Sequence, residues 1–391
     1  MPLKVWQLDP AQMTTYYNLA LCSALARAGC DVRYVTSRFL YDENLPDLEG
    51  FVVDTHYFRG LSWPILLHYP RLRRLLRAIS YPFGHLETLQ AIRRERPDIV
   101  HVQWSRLPRL DGWLIRRVRA AGIPVVHSVH DVVPLFALNA NPDRLGQIYT
   151  SVDALIVHTQ SSREALLMHY PAIRPERVHV IPHIAIRNHA IPPGASQEAA
   201  RQSLQLPLTA PVFLFFGAIK AYKGLDVLAT AFERVSRERQ DAWLVIAGRP
   251  DGPQQTRLLQ QMQKRANVRV LAEFVPYNDV WRYFYAADVI VFPYHYIYQS
   301  GALITALSFG RAVIVTAAGG LPEGVDGNGW VVPPGDAIAF AGAMLAALAD
   351  ASSLPDKGRR SQEILEERFG EAIVAKQTIQ LYEALHRGKR P

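Results

Sequence analysis

The sequence has little cysteine and no long apolar run, and each shortage excludes a class of protein. Cys22 and Cys30 are the only cysteines among 391 residues, too few for a disulfide framework or a four-cysteine zinc site. No run of about 18 uncharged apolar residues is present, and the first residues, MPLKVWQLDP, are too short and polar for a signal peptide. We therefore expect a cytoplasmic protein, and peripheral binding to the inner face of the cell membrane stays open.

Two binding motifs are also missing. No G-x-G-x-x-G segment opens a helix after a predicted strand, which argues against a Rossmann dehydrogenase. There is no D-x-D motif and no His/Asp cluster with the spacing of metal ligands. We therefore expect neither a metal ion nor a cofactor.

Positive charge, in contrast, is in excess. Lys and Arg number 43 against 35 Asp and Glu, a net charge of +8. Nucleic acid, anionic lipid and a phosphorylated substrate would all suit such a chain. Because no known nucleic-acid-binding module is present and arginines cluster on one predicted helix, we do not expect a nucleic-acid partner.

Apolar runs alternate with amphipathic helical stretches twice along the chain, which is too long for one ordinary core. The predicted strands are 4–8, 31–36, 98–103, 124–130, 154–159 and 178–183, then 212–217, 243–248, 268–273, 288–293 and 312–317. This predicts an α/β protein with two Rossmann-like, doubly wound domains, 1–185 and 206–369, facing a central cleft. The Pro- and Gly-containing stretch 186–205 is the predicted linker, and a helix at about 370–391 is expected to pack back on the first domain.

Gln299-Ser300-Gly301 follow a buried predicted strand and open a helix of small residues. A helix start has unpaired N–H groups and the positive end of the helix dipole, which favour phosphate. Gly301, without a Cβ, would let such a group approach the backbone. We predict that Ser300 and Gly301 bind phosphate, with Gln299 beside them.

The segment FFGAIKAYKGLDVLATAF, residues 215–232, resembles the nucleotide-sugar-dependent glycosyltransferases of GT-B fold, specifically the large retaining group numbered family 4. Similar landmarks follow in order, namely VIAGRP, FVPYNDVWRYFYAADVIVFP, SFGRAVIVT, AGGLPEGV and GWVVPPGD. The resemblance implies a hexosyltransferase that uses a UDP- or GDP-sugar, without metal and with retention of configuration. Its acceptor would be a saccharide or glycolipid in polysaccharide or glycolipid synthesis.

The resemblance also implies a donor site at the strand ends of the second domain. Gly217, Lys220 and Lys223 would bind the diphosphate together with Ser300 and Gly301, since fixed cations can stabilise the leaving group in place of a metal. The sugar and nucleotide would contact Gln299, Thr305, Glu273, Arg249 and Glu323. The alternatives are a solvated loop lysine for Lys223, a small packing residue for Thr305, a charge at a helix start for Glu323 and a surface position for Arg249.

Two departures from the family pattern put residue roles in doubt. Most members carry two glutamates where this chain has Ile297 and Thr305. A Gly-Gly loop is usual after the first strand, whereas this chain reads QLDPAQMTTYY. We expect a different fit around the diphosphate or acceptor there, and Thr14 or Thr15 as a helix cap.

His130 and Asp131 stand where a first-domain strand ends, in HSVHDVVP. Such a pair can orient a sugar hydroxyl or take a proton, so both are predicted catalytic residues. With retention, His130 would hold the donor sugar; with inversion, Asp131 would be the base. His127 is expected to be a core histidine. A non-catalytic nucleotide-sugar-binding protein and a nucleotide-sugar epimerase remain alternatives.

Residues 61–83 predict a basic amphipathic helix. Leu72, Leu75, Leu76 and Ile79 share one face, and the predicted contacts to membrane or acceptor are Trp63, Arg71, Arg73, Arg74 and Arg77. An anionic membrane surface and a lipid-linked acceptor are the partners this implies. The alternative is a helix packed on its own sheet with solvated arginines.

Overall fold

The computed structural model describes residues 2–39, 49–61, 69–133, 142–186 and 191–388. These residues form two compact units. Unit 1 contains the described residues up to 184 together with 370–388, and unit 2 contains the described residues from 185 to 369. Trp63 lies outside the described residues.

Unit 1 is built on a parallel sheet of seven strands in the order β3-β2-β1-β4-β5-β6-β7. The strands are β1 (Lys4–Asp9), β2 (Asp31–Ser37), β3 (Val52–Tyr57), β4 (Ile99–Val102), β5 (Val125–Ser128), β6 (Ala154–Val157) and β7 (Val178–Val180). All but β3 were predicted from apolar runs. β3 is an edge strand whose Val52 and Val53 are exposed, so its sequence lacks the buried run that marks the others.

The helices of unit 1 include one from the far end of the chain. They are α1 (Thr15–Arg27), α2 (Pro70–Glu95), α3 (Pro108–Ala120), α4 (Pro142–Ser151), α5 (Gln160–His169) and α13 (Glu371–Arg387). α13 packs on α1, and its Tyr382 is fully buried and accepts a hydrogen bond from Gln7 of β1. The last helix is therefore part of the unit 1 core.

Unit 2 repeats the architecture with six parallel strands in the order β10-β9-β8-β11-β12-β13. They are β8 (Val212–Phe216), β9 (Trp243–Ala247), β10 (Val268–Leu271), β11 (Val289–Phe292), β12 (Ala312–Thr316) and β13 (Gly329–Val332). The helices are α6 (Gln197–Ser203), α7 (Leu225–Glu238), α8 (Pro253–Met262), α9 (Val280–Ala286), α10 (Gly301–Ser308), α11 (Ala337–Ala349) and α12 (Leu354–Ile364). The edge strand β13 was not predicted.

The predicted linker 186–205 is wrong over its second half, because residues 197–203 form α6. Ser196 caps that helix by accepting a hydrogen bond from the Ala199 N–H. Arg201 is buried and forms an ion pair with Asp288 at 2.8 Å. The polar composition suggested a linker, yet one of those polar residues ties the helix to unit 2.

In each sheet the strand order reverses beside the first strand of the unit, between β1 and β4 and between β8 and β11. Loops leaving the carboxyl ends of such neighbouring strands diverge and leave room for a ligand. These two edges therefore hold the groups to consider.

Within the described residues, no single helix is long and apolar enough to cross a membrane. The bent pair formed by 337–349 and 351–387 passes that test by length and composition only.

Candidate functional site

Three glycines shape the loop after β8 in unit 2. Gly217 and Gly248 end β8 and β9, and an added Cβ on Gly248 would lie 2.0 Å from the Gly217 carbonyl oxygen. Gly224, in the left-handed region at φ +66°, lies against the Pro293 carbonyl, where a Cβ would be 1.9 Å away. The glycines let three loops approach at one edge of the sheet.

Lys223 is held inside this arrangement. It ends a short 3-10 turn, Ala221–Lys223, and only 9% of it is exposed. Its Nζ lies 5.3 Å from the centre of the Tyr294 ring and 3.2 Å from the place a Cβ would take on Gly217. Burial lowers its pKa to about 8, so the amine is mostly charged at neutral pH. The alternative of a solvated loop lysine is therefore wrong.

The start of α10 lies in the loop that follows β11, the strand next to β8. Ser300 is the N-cap and accepts from the Leu303 N–H at 3.4 Å, and Gly301 is the first helical residue. The Gln299 side-chain oxygen is buried and has no hydrogen-bond donor in the described part of the chain. It lacks the hydrogen-bond donor that a buried acceptor ordinarily has.

The loop after β12 closes on the same segment. Gly320 donates its N–H to the Tyr298 carbonyl at 3.2 Å, and a Cβ on Gly319 would meet the Ile297 carbonyl. The loops after β8, β11 and β12 therefore bring Gly217, Lys223, Gln299 and Ser300 to one edge of unit 2.

The other residues predicted to bind the donor differ in how far they are buried. Lys220 is half-buried, whereas Glu273, Arg249 and Glu323 are exposed. Thr305 is buried and its hydroxyl donates to the Gly301 carbonyl of its own helix at 3.0 Å, which fits the packing alternative. Their contacts with a donor stay predictions.

At the corresponding edge of unit 1, His130 has both ring nitrogens engaged. Nε2 lies 3.0 Å from the Gln103 side-chain oxygen and Nδ1 lies 3.3 Å from His158 Nε2. Its ring stacks on Trp104 at 5.1 Å. To hold a sugar or take a proton, His130 would first have to release a protein partner. Asp131, which follows it, is half-buried.

This edge is rich in buried histidines that are kept neutral. His127 is buried in β5, with Nε2 3.0 Å from the Ser105 hydroxyl, so the prediction of a core histidine is confirmed. Burial lowers the pKa of His127 and His158 to about 4 and that of His183 to about 3. The pKa values of His101 and His130 are also lowered by burial. These histidines therefore make the edge polar without adding charge to it.

The loop after β1 contains groups that the sequence analysis missed. Asp9 is fully buried, and one of its oxygens accepts from Asn18 Nδ2 at 2.8 Å and from the Thr14 N–H at 3.3 Å. Its other oxygen, the Gln12 side-chain oxygen and the Asn18 side-chain oxygen are buried with no donor among the described residues. An acidic residue ending a buried strand was the available signal. Thr14, predicted as a possible cap, makes no side-chain cap hydrogen bond.

One apolar face of helix α2 is exposed to solvent. Leu72, Leu75, Ile79, Phe83 and Leu86 lie on one face at helical spacing and are 46–67% exposed. Leu76, predicted on the same face, is half-buried, and α2 also contacts α3 and β3, so the alternative of a helix packed on its own sheet holds in part. Arg71 and Arg74 are exposed, whereas Arg73 and Arg77 are half-buried.

Arg77 is a correction to the predicted membrane contacts. Its guanidinium lies 4.0 Å from the centre of the Phe58 ring, and Nη2 is 3.5 Å from the Ser37 hydroxyl. Because this places the side chain against unit 1 itself, Arg77 is a packing residue.

The described residues contain no group of three or more His, Cys, Asp or Glu side chains placed to hold a metal ion.

Comparisons with known proteins match both halves of the chain to glycosyltransferases. A model described as Glycosyltransferase Family 4 matches residues 14–184, and one described as Glycosyl transferases group 1 matches residues 210–350. D-inositol 3-phosphate glycosyltransferase of Xylanimonas cellulosilytica is 31% identical over 275 residues, which span 65% of this chain and 64% of that relative.

Two solved structures share the fold over nearly the whole chain. Sucrose-phosphate synthase of Thermosynechococcus elongatus has a TM-score of 0.74 at 22% identity, covering 99% of this chain and 100% of that one. Anabaena HepE in complex with UDP and glucose has a TM-score of 0.77 at 16% identity, covering 98% and 100%. Since both halves match glycosyltransferase models and the whole chain has their architecture, the protein is a glycosyltransferase of GT-B fold that resembles family 4.

Proposed function

We propose that the protein transfers a hexose from a nucleotide diphosphate sugar to a hydroxyl of a saccharide or glycolipid acceptor, without a metal ion. The observation that carries this proposal is the buried ammonium of Lys223 in the glycine-lined loop of unit 2. No carboxylate of the described residues pairs with it. A buried, unpaired cation is costly, and the diphosphate of a donor is the anion that would compensate it.

The leaving group gives this cation its role in the reaction. As the glycosidic bond breaks, negative charge develops on the diphosphate oxygens, and a fixed ammonium close to them stabilises the transition state. The N–H groups at the start of α10 would add to this effect, and the free oxygen of Gln299 would accept a hydroxyl of the donor sugar.

UDP is the nucleotide that we propose first, with GDP as the alternative. The support is that HepE, which shares the fold, was solved with UDP and glucose. We propose retention of configuration on the family resemblance. Inversion with Asp131 as the base and nucleotide-sugar binding without turnover are the competing possibilities.

Donor hydrolysis and thermal shift across a panel of UDP-, GDP- and dTDP-sugars test the proposal. One nucleotide should stabilise the protein, and its sugar should be hydrolysed about 10²-fold more slowly by Lys223→Met. Lys264→Met, which removes an exposed lysine of the same unit, is the control and should match the wild type. Equal activity in both variants would contradict the role of Lys223, and no nucleotide binding would overturn the function.

We propose that the acceptor is polyhydroxylated and binds at the loop after β1. The free oxygens of Asp9, Gln12 and Asn18 can only accept hydrogen bonds, and leaving a buried acceptor unpaired costs about 1–3 kcal/mol. Hydroxyl groups of a sugar or inositol would supply the missing donors once the loop after β1 moves to admit them, because all three oxygens are buried. The related D-inositol 3-phosphate glycosyltransferase has a polyol in its name, which fits this chemistry.

We further propose that the protein works in the cytoplasm, on the inner face of the cell membrane, with a lipid-linked acceptor. The support is the outward apolar face of α2, with exposed Arg71 and Arg74 on the same helix. Apolar side chains can enter the lipid headgroup boundary while arginines meet anionic lipid.

Flotation with vesicles of neutral and mixed neutral–anionic lipid tests the membrane proposal. The wild type should float with the anionic vesicles, and Leu75→Ser combined with Ile79→Ser and Phe83→Ser should not. Ile338→Ser removes an exposed apolar residue from unit 2 and should leave flotation unchanged. If the wild type fails to float with either lipid, the membrane role is wrong.

A further inference from the structure

Unit 2 has a cavity at the end of its sheet opposite the predicted donor edge. Its volume is about 580 Å³, and it lies against Val212 and Val289, the first residues of β8 and β11. The donor loops leave the other ends of these strands. Since β8 has five residues at about 3.3 Å each, the two places lie about 15 Å apart along the sheet.

One charged pair in the wall of the cavity is fully satisfied. Arg201 donates to the carbonyls of Ala286 and Leu208 and to the Asp288 carboxylate. Asp288 also accepts from Gln197 at 2.9 Å and from the Val212 N–H at 2.8 Å. This pair needs no ligand.

Arg311, in the same wall, has no such partner. Nη2 donates to the Tyr285 carbonyl at 3.3 Å, and the guanidinium lies 5.7 Å from the Tyr285 ring. Nε is fully buried and has no acceptor among the described residues. Nη1 makes no hydrogen bond within the described part of the chain and is not fully buried, so it can contact a ligand in the cavity.

Arg311 forms no ion pair in the described part of the chain, and Asp288, the carboxylate in the cavity wall, is already paired with Arg201. The wall therefore keeps a net positive charge, which favours an anion. Burial lowers the pKa of Arg311, in keeping with a positive charge that the protein compensates poorly. Leu208, Leu348 and Leu354 line the cavity as well, and Leu208 is 48% exposed. The site therefore combines one cation with an apolar wall.

We propose that this cavity binds a small organic anion, whose phosphate or carboxylate meets Arg311 and whose apolar body lies against the leucines. Guanidinium groups form short, charge-assisted hydrogen bonds with both kinds of head group. The ligand binds without displacing the nucleotide sugar, since the donor loops lie at the other end of the strands. The proposal does not depend on which donor or acceptor the enzyme uses.

Thermal shift with phenyl phosphate, benzoate, inorganic phosphate and phenol tests the site. Phenyl phosphate or benzoate should raise the unfolding temperature saturably, inorganic phosphate less, and phenol not at all. The two anions distinguish a phosphate site from a carboxylate site. Because phosphate could also bind at Lys223, the titrations are repeated with saturating UDP and in Lys223→Met, where the effect should persist.

Arg311→Met should weaken the binding of phenyl phosphate or benzoate at least about tenfold, while Arg311→Lys keeps part of it. Arg237→Met, which removes an exposed arginine of the same unit, is the control. Ala351→Glu adds a carboxylate at an exposed position of the cavity wall and should weaken binding even if Arg311→Met fails to fold. Equal shifts in wild type and both cavity variants would overturn the proposal and leave Arg311 as a cap of the α9 carbonyl end. The absence of any anion effect in the wild type would overturn it as well.

Discussion

The two units arrange the strands around their first strand in the same way, yet opposite chemistry stands at their carboxyl edges. Unit 2 has glycines and the buried ammonium of Lys223 there. Unit 1 has no glycine between Asp9 and Thr14, and its edge carries neutral histidines, amides and oxygens that lack donors. A cationic edge suits a diphosphate, and an edge rich in hydrogen-bond acceptors suits hydroxyl groups. The difference supports the proposal that unit 2 binds the donor and unit 1 the acceptor.

The largest effect on stability and donor binding is expected from adding a side chain to a glycine at the donor edge of unit 2. Gly224→Ala would place a Cβ 1.9 Å from the Pro293 carbonyl oxygen at a positive φ, so the loop carrying Lys223 must move. We expect a stability loss of about 2–4 kcal/mol and little donor binding. Denaturant unfolding and nucleotide thermal shift measure both.

Gly342→Ala is the matched control for that substitution. Gly342 is an exposed residue of α11 with nothing within 4 Å of an added Cβ. Alanine should stabilise this helix by about 0.5–1 kcal/mol. If both variants behaved alike, the glycine of the donor loop would have no special role.

The acceptor-rich edge of unit 1 is tested by Asp9→Asn. Asparagine can keep the hydrogen bonds from Asn18 and the Thr14 N–H with its oxygen, while its NH₂ replaces the free oxygen and repels a donor. We expect the acceptor KM to rise about tenfold with donor hydrolysis unchanged. Asp31→Asn, at an exposed carboxylate, is the control.

The pH dependence of the acceptor KM separates a contact from a structural role for Asp9. Burial raises the pKa of Asp9 to about 6, so its carboxylate is charged above that pH and accepts hydroxyl hydrogen bonds best there. The acceptor KM of the wild type should fall as the pH rises through 6, and that of Asp9→Asn should not. A parallel dependence in both would contradict acceptor binding at Asp9.

Acid should unfold unit 1 before unit 2. His127 and His158 of unit 1 stay neutral in the folded state down to about pH 4, whereas histidines of the unfolded chain take up protons near pH 6.5. Their contribution to stability is thus present above pH 6.5 and lost as the pH falls toward 4. Asp9 acts in the opposite direction, since its raised pKa lets the folded state bind a proton below about pH 6.

Lys223 affects unit 2 only on the alkaline side. Its pKa is lowered from the ordinary 10.5 to about 8, so burial of its charge costs stability at low pH and that cost disappears between pH 8 and 10.5.

Hydrogen exchange at pH 7 and pH 5 tests the order of acid unfolding. When the pH is lowered, the amides of unit 1 should lose more protection than those of unit 2. Earlier loss in unit 2 would contradict the assignment.

The smallest effects are expected from removing one helix cap in each unit. Thr159 accepts from the Ser162 N–H at the start of α5, and Ser196 accepts from the Ala199 N–H at the start of α6. Thr159→Ala and Ser196→Ala should each cost about 1 kcal/mol of stability, measured by denaturant unfolding. Because the Thr159 hydroxyl is also hydrogen-bonded to the Ser162 hydroxyl at 2.6 Å, the cost should be somewhat larger for Thr159→Ala. A larger cost for Ser196→Ala would contradict this comparison.

Buried parallel strands were predictable because both faces are covered and their apolar runs are continuous, as in β8 and β11. β3 has exposed valines and α6 lies in a polar stretch, so the local sequence pattern predicted neither of these elements. The strand-end rule placed Lys223 and Ser300 correctly on one edge. Asp9, Asn18 and Arg311 were missed because their significance lies in partners they lack, which depends on packing.

The return of α13 to unit 1 has a consequence for synthesis on the ribosome. Tyr382 fills the unit 1 core beside Gln7, although nearly the whole chain separates the two residues. Unit 2 is complete once residue 369 has emerged, whereas the first-made unit must wait for the last-made helix. The half that is translated first is therefore the half that finishes folding last, and its apolar α1 face needs protection throughout elongation.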